Sequence, residues 1–311
     1  YDKTNRIITL SDKISSALGI NKPSIRRTAQ LCKADLATNL VFEFTELQGF
    51  IGADYARVSG EEKDVQDGIR EHYFPLNADS ETASGIEGQI VGIADKIDTI
   101  CAVFASGKKP TGSSDPLGVR RAALGIIKTI IEHNLKLDLT EIIKNGLELL
   151  PVKSDVQPDI EEFFVQRLII FLNSDYNKNI LEACSSNNPC KDICDFLLRV
   201  KAVSEMHDEK LVENANRVLR ILKDVTEIDL VRENLFVEQA EKDLYKSIKG
   251  IVFSADYSKY LQDLISINPV VTKFFDDVLV MDKDENIKNN RLALLNILKD
   301  KYLILTDFTK I

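Results

Sequence analysis

The run IEGQIVGIADKIDTICAVFASG, Ile86 to Gly107, decides the fold. Its residues Ile86, Ile90, Ile93, Ile97, Ile100 and Phe104 recur at alternating steps of four and three. That spacing returns to one face of an α-helix; a strand would alternate at every second residue. Gly107 supplies the stop, because glycine tolerates the left-handed conformation that ends helices.

Outward from this run the same period recurs. Ile7, Leu10, Ile14, Ala17 and Leu18 mark a first helix, and Pro23 is placed to open a second. In LCKADLATNLVFEFTELQGFIGADYA (Leu31 to Ala56), Leu36, Leu40, Phe44, Leu47 and Ile51 read as one unbroken helical stripe. Glu61 to Tyr73 is a short helix stopped ahead of Pro75. Residues 76 to 85 are a polar loop. Lys108 to Ser114 is a loop by composition. Asp115 and Pro116 then read as an N-cap and first-turn pair. The helix they open turns Leu117, Leu124, Ile127, Ile130 and Ile131 inward and leaves Arg120 and Arg121 outside. Further helices are predicted over 137–150, 163–172, 215–222, 235–248, 257–267, 270–279 and 287–305, with Asn187-Asn188-Pro189 separating two short ones. No pair of alternating β-branched runs flanks a turn, so a sheet has little to be built from. The expected fold class is all-α.

Composition narrows the function. The 311 residues are 44% hydrophobic and carry a net charge of −9, which suits a globular chain without general affinity for phosphate. Nucleic acid could be held only through a local basic patch. No apolar run is long enough to span a membrane. The chain begins at Tyr1 without a charged-then-apolar leader, and it reads as a piece excised from a longer protein. Five cysteines, Cys32, Cys101, Cys184, Cys190 and Cys194, lack framework spacing and suit reduced thiols of the cytoplasm. Cys184, Cys190 and Cys194 lie near one another but lack the paired gaps and close histidine of a zinc site. There is no Walker loop, no dinucleotide fingerprint, no HExxH and no nucleophile elbow.

The C-terminal residues are the most specific. Phe274-Phe275-Asp276-Asp277-Val278 with Val280-Met281, Asn289-Asn290-Arg291-Leu292-Ala293-Leu294-Leu295, and Asp307-Phe308 closely resemble the DALR anticodon-binding domain. That helical domain ends arginyl-tRNA synthetases and the bacterial glycyl-tRNA synthetase beta subunit. NANRVLRIL (Asn214 to Leu222) resembles its start. Taken alone, the periodicity is also that of a plain helical bundle with a solvated charged face. Residues 268–311 balance seven Lys/Arg against seven Asp/Glu, so this segment is neutral within an acidic chain.

The first half separates the two synthetases. KADLATNLVFEFTELQGFIGADYA, REHYFP, IADKIDTI and PTGSSDPLGVRRAALGIIKTIIE resemble the bacterial glycyl-tRNA synthetase beta subunit. The resemblance implies three regions: a degenerate HD-like helical domain over 1–135, a helical connector over 136–204, and the anticodon-binding domain over 205–311. It implies the tRNA for glycine as ligand and the alpha subunit as partner in a two-alpha two-beta assembly in the cytoplasm, with no membrane contact. It also implies that ATP and Mg serve adenylate formation on the alpha subunit, leaving this portion without catalytic residues or a cofactor of its own.

HD phosphohydrolases hold divalent ions with a histidine, a His-Asp pair and a later aspartate, and the ions activate water for attack on a phosphoester. Here the pair position reads Ala34-Asp35, Asp95 suits the later aspartate, and His72 is the only histidine in the middle of this region. Two carboxylates and one imidazole make a poor ion cage. The expectation is therefore that Asp35 and Asp95 tie helices together as buried acceptors, with Lys33, Lys96 or backbone donors as partners. Candidates for tRNA contact are Lys108, Lys109, Arg120 and Arg121 in the first half, and Lys273, Lys288, Arg291 and Lys299, which periodicity places off the apolar face, in the second. Lys108 to Arg121 combines cations with a helix N-terminus, which favours anions, although Asp115 already occupies those donors. The same segment would also serve as a subunit contact. A metal-dependent HD phosphohydrolase and a helical scaffold without RNA are the competing readings.

Overall fold

Two units hold the helices of this computed structural model, which describes residues 1–110, 115 and 117–311. One comprises residues 1–171 with 189–194, the other 172–188 with 195–311. Among the described residues there is no strand.

The first unit runs through α1 (Asp2–Ala17), α2 (Pro23–Leu31), a 3-10 turn (Ala34–Ala37), α3 (Asn39–Glu43), a second such turn (Thr45–Leu47), α4 (Phe50–Val58), α5 (Lys63–Glu71), α6 (Ile86–Ala105), α7 (Val119–Glu132), α8 (Leu139–Glu148) and α9 (Gln157–Leu172). Helix α6 is its axis, with α1, α2, α5, α7 and α8 packed around it. The stripe read from the sequence is only part of the reason. Val91, Ala94, Cys101 and Val103, off that stripe, are buried as well, so the helix is enclosed on nearly every side. Gly92 lets the end of α5 approach: a Cβ there would lie 2.7 Å from the His72 carbonyl oxygen. Lys96 completes the junction by donating to the carbonyls of His72 (3.0 Å) and Phe74 (2.9 Å).

The single helix predicted through Leu36 to Ile51 is not formed. Two turns and two short helices replace it, and Leu36, Leu40 and Phe44 of the stripe are exposed. Side-chain bonds break the periodic run. Thr38 donates to the Asp35 carbonyl and accepts from the Val41 N–H. Gly49 sits at φ +82° and donates its N–H to Asp35 Oδ2 at 2.6 Å. Such local bonds compete with the helical ladder.

Helix α7 starts later than the Asp115-Pro116 pair predicts. Its N-cap is Gly118 at φ +66°, and Asp115 reaches in to accept the Arg120 N–H at 3.2 Å to each oxygen. Pro116 and residues 111–114 of the predicted loop lie outside the described residues.

The second unit carries α10 (Lys178–Cys184), α11 (Ile193–Ser204), α12 (Glu209–Ile221), α13 (Gln239–Gly250), α14 (Tyr257–Ser266), α15 (Asn268–Asp277) and α16 (Glu285–Leu305). Helices α12, α13 and α14 pack on α16. Leu294, Leu298, Tyr302 and Leu305 are fully buried on the predicted face of α16, while Ile287 at its start is half-buried. Asp208, Asp256 and Asp284 cap α12, α14 and α16 by accepting backbone N–H groups. Of the segment 136–204, α8 and α9 fall in the first unit, and α10 with nearly all of α11 falls in the second.

Candidate functional site

His72 and Asp95 meet through Lys33 in the first unit, but not as an ion cage. His72 caps the C-terminus of α5 and is fully buried. Its Nδ1 lies 2.6 Å from the Ile69 carbonyl, so Nδ1 carries the proton and Nε2 is left as an acceptor. The donor to Nε2 is Lys33, whose Nζ stands 2.8 Å away. The same ammonium donates to Asp95 Oδ2 at 2.7 Å and lies 3.8 Å over the Tyr73 ring. Lys3 of α1 approaches Asp95 Oδ1 to 2.8 Å, as an ion pair rather than an aligned hydrogen bond.

Lys33 thus holds the place between imidazole and carboxylate that a divalent ion would need. Ala34 contributes no ligand and is exposed. Asp35 is buried but directs Oδ2 to Gly49 instead. No group of three or more His, Cys, Asp or Glu among the described residues has the geometry to hold a metal. The donor set does not fit the ion of an HD phosphohydrolase, and no hydrolytic step follows from it.

Electrostatics agree with this arrangement. Burial alone would raise the Asp95 carboxyl, but Lys33 and Lys3 outweigh it and hold the group below the usual carboxylate range. Burial, joined by the Lys33 charge, pushes the His72 imidazole well below its ordinary value, so it is neutral at pH 7. Burial lowers Lys96 to about 8.

Of the candidate cations of the first unit, Arg120 and Arg121 lie in the first turn of α7, and Lys108 and Lys109 follow α6. Lys108 is exposed. Lys109 is paired with Asp159 at 2.5 Å, and Arg121 Nε stands 4.0 Å from Asp115 Oδ2. The sequence reading missed Arg167 on α9. Burial lowers its pKa, and the nearby Arg120 charge lowers it further. Arg167 Nε is buried without a hydrogen-bond partner among the described residues. No spacing rule links residue 167 to residue 120; packing alone brings them together. Lys33, beside the vacated ligand position, was visible in sequence only as one possible partner for a buried acid.

In the second unit Lys273 is exposed, beside Pro269 and Thr272, on a cleft of about 530 Å³. Lys288 and Lys299 are half-buried, with Lys288 2.7 Å from Glu285. Arg291, expected off the apolar face, is 3% exposed. Its guanidinium bonds to Glu241 (3.0 Å), Asp282 (2.8 Å) and the Leu279 carbonyl (2.9 Å). The α13–α16 contact needs a rigid fork to satisfy buried acceptors, which arginine supplies and periodicity does not reveal.

All five cysteines are free thiols. No described helix is long and apolar enough to cross a membrane.

Comparison with known proteins covers the whole chain. Residues 1–186 match the family described as glycyl-tRNA synthetase beta subunit, and residues 175–302 match the DALR anticodon binding domain. The glycine–tRNA ligase beta subunit of Clostridioides difficile (strain 630) is 37% identical across all of this chain and 48% of its own length. The proteins of that name from Geobacter sp. (strain M21) and Haemophilus influenzae (strain PittGG) are each 34% identical, over 100% and 99% of this chain and 48% and 47% of theirs. The chain therefore spans about half the length of the curated relatives it matches.

Proposed function

The chain belongs to the glycyl-tRNA synthetase beta subunit family, and on that premise we propose that it is a tRNA-recognition portion of glycine–tRNA ligase, with ATP and Mg used on a separate alpha subunit. The observation that carries this reading is the match of an anticodon-binding domain to residues 175–302, nearly the whole second unit. The ligand is the tRNA for glycine, the setting is the cytoplasm, and the assembly is two alpha and two beta subunits. The domains are an HD-like region over 1–135, a connector over 136–204 and the anticodon-binding domain over 205–311.

Loops of RNA are read by stacking on splayed bases and by edge hydrogen bonds, with cations on the phosphates. Lys273, Lys288 and Lys299 serve the second role in the anticodon-binding unit. Arg291 is left out, because it is buried and its Nε and Nη1 bond to Glu241, Leu279 and Asp282 inside the fold. In the first unit Lys108, Lys109, Arg120 and Arg121 contact the tRNA backbone, with Arg167 adding to the local positive potential. Ala34, Asp35, His72 and Asp95 take no part in chemistry.

The test is filter binding of the tRNA for glycine across a salt series. Replacing Lys273, Lys288 and Lys299 together by alanine lowers affinity and reduces the slope of log K against log salt by roughly two to three. The Arg120→Ala and Arg121→Ala pair does the same by a smaller amount. Unchanged affinity and slope in both variants would refute these contacts.

A further inference from the structure

Helix α15 buries Val271, Phe274 and Phe275 in the core and turns another side to the cleft of about 530 Å³ that Lys273 borders. On the cleft side Asn268, Thr272 and Asp276 follow one another at steps of four, and Pro269, Lys273 and Asp277 do the same. Residues four apart lie one above the other on a helix, so two rows run side by side along the cleft. Packing accounts for Phe274 and Phe275 in the run Phe274 to Val278. It does not account for Asp276 and Asp277, which are exposed. Among the described residues neither acid has a side-chain hydrogen bond or an ion pair, although Lys273 stands one turn from Asp277.

The first row starts from a built floor. Asn268 is 5% exposed, and Asn214 of α12 beneath it is buried as well. Asn214 Nδ2 donates to Asn268 Oδ1 at 3.4 Å and to Thr272 Oγ1 at 3.2 Å. Asn268 Nδ2 donates in turn to Asp208 Oδ1 at 3.2 Å, the same oxygen that caps α12 by accepting the Leu211 N–H. The Asn268 amide is therefore held at both ends. Thr272 Oγ1 already accepts, which leaves its own hydrogen to donate. Ile265 and Pro269 add an apolar wall, and Lys210 is a second cation on the rim.

A ligand for this cleft must bring hydrogen-bond donors to two carboxylates and negative charge to two lysines. A phosphodiester backbone alone has no donors, and the acids repel it. An unpaired nucleotide supplies everything required: a flat face for the apolar wall, an amino group on the base edge for the acids, and phosphates for the lysines. The cleft also lies within the residues that match the anticodon-binding domain.

Resting on the tRNA-recognition reading given above, the geometry points to this cleft as the seat of one unpaired loop nucleotide. Asp276 and Asp277 accept from an exocyclic amino group, Thr272 donates to a ring acceptor beside it, and Lys210 and Lys273 hold the flanking phosphates. Cytosine, guanine and adenine carry such an amino group. Uracil does not, and the cleft rejects it.

The sign of one substitution separates base reading from contact with phosphates alone. Taking acids away from a surface that meets only backbone relieves repulsion and tightens RNA binding. Taking away acids that accept from a base weakens it. Filter binding of the tRNA for glycine is measured on the full-length subunit in its assembled synthetase, wild type against Asp276→Ala with Asp277→Ala. Both side chains are exposed, and melting with circular dichroism checks that the fold stands. The expected result is binding weakened roughly tenfold. Transcripts with one loop nucleotide at a time changed to uridine then locate the base. At one position uridine costs the wild type the same factor and costs the variant nothing further. An acid variant that binds as tightly as wild type, or tighter, overturns the proposal and leaves the tRNA reading in place. Uridine penalties equal in both proteins at every position overturn it too. A wild type that does not bind the tRNA overturns the tRNA reading itself, and this proposal with it.

Discussion

A single residue decides what the site around His72 and Asp95 can be. Lys33 places an ammonium between His72 Nε2 and Asp95 Oδ2, so the two groups best able to bind an ion are already spent on a fixed cation. Added Mn²⁺ or Zn²⁺, or prolonged treatment with a chelator, is therefore expected to leave the melting temperature unchanged. A metal-dependent rise would contradict this. Lys33→Met leaves Asp95 with Lys3 alone and is expected to cost about 3 kcal/mol in urea unfolding, as for breaking a buried pair. The same cluster sets an acid limit. The unfolded His72 takes up a proton near pH 6.5, whereas the folded imidazole resists it, so the unfolded state binds more protons as pH falls. Stability is expected to drop below pH 6.5 by up to about 1.4 kcal/mol per pH unit. Asp95, whose folded carboxyl is held below the usual range, adds to the loss below pH 4. Unfolding free energies that are flat from pH 7 to 5 would refute this account. Arg291 is the counterpart in the second unit: Arg291→Ala strands Glu241 and Asp282 and is expected to destabilise by about 3 kcal/mol.

At the scale of elements, the sequence pattern held for α6, which is enclosed on nearly every side, and failed for the run from Leu36 to Ile51. Helix α6 forms where its spacing predicts, because its apolar residues can be satisfied only inside. The run from Leu36 to Ile51 has equally good spacing yet breaks into α3, α4 and two turns. Periodicity reports which residues could share a face; it does not report that Thr38 and Asp35 offer the backbone better partners. The junction of α5 with α6 depends on a missing side chain. Gly92→Ala adds helix propensity but drives a methyl against the His72 carbonyl, and the crowding is expected to win by about 1–3 kcal/mol. Thermal unfolding checks this; a more stable variant would show that α5 can move aside.

At the scale of the whole molecule, the tRNA proposed as ligand requires an acidic chain to segregate its charge. Lys108, Lys109, Arg120 and Arg121 fall in one short stretch of sequence and residues 268–311 are neutral within a chain of net charge −9, while Ala34 to Ala56 carries no cation. The all-α class, the order of most helices and the family were legible in the residues, because each rests on local spacing or on strings of side chains. Family resemblance also carried what no spacing rule could, the separation from other helical proteins. Tertiary structure decided the rest. It buried Arg291 while leaving Lys273 in solvent, brought Arg167 to Arg120, and exposed Phe42 and Phe44. Above all it put Lys33 where an ion would stand. These are relations between residues distant in sequence, fixed by how helices close around α6 and α16, and no linear pattern records which side chains meet there.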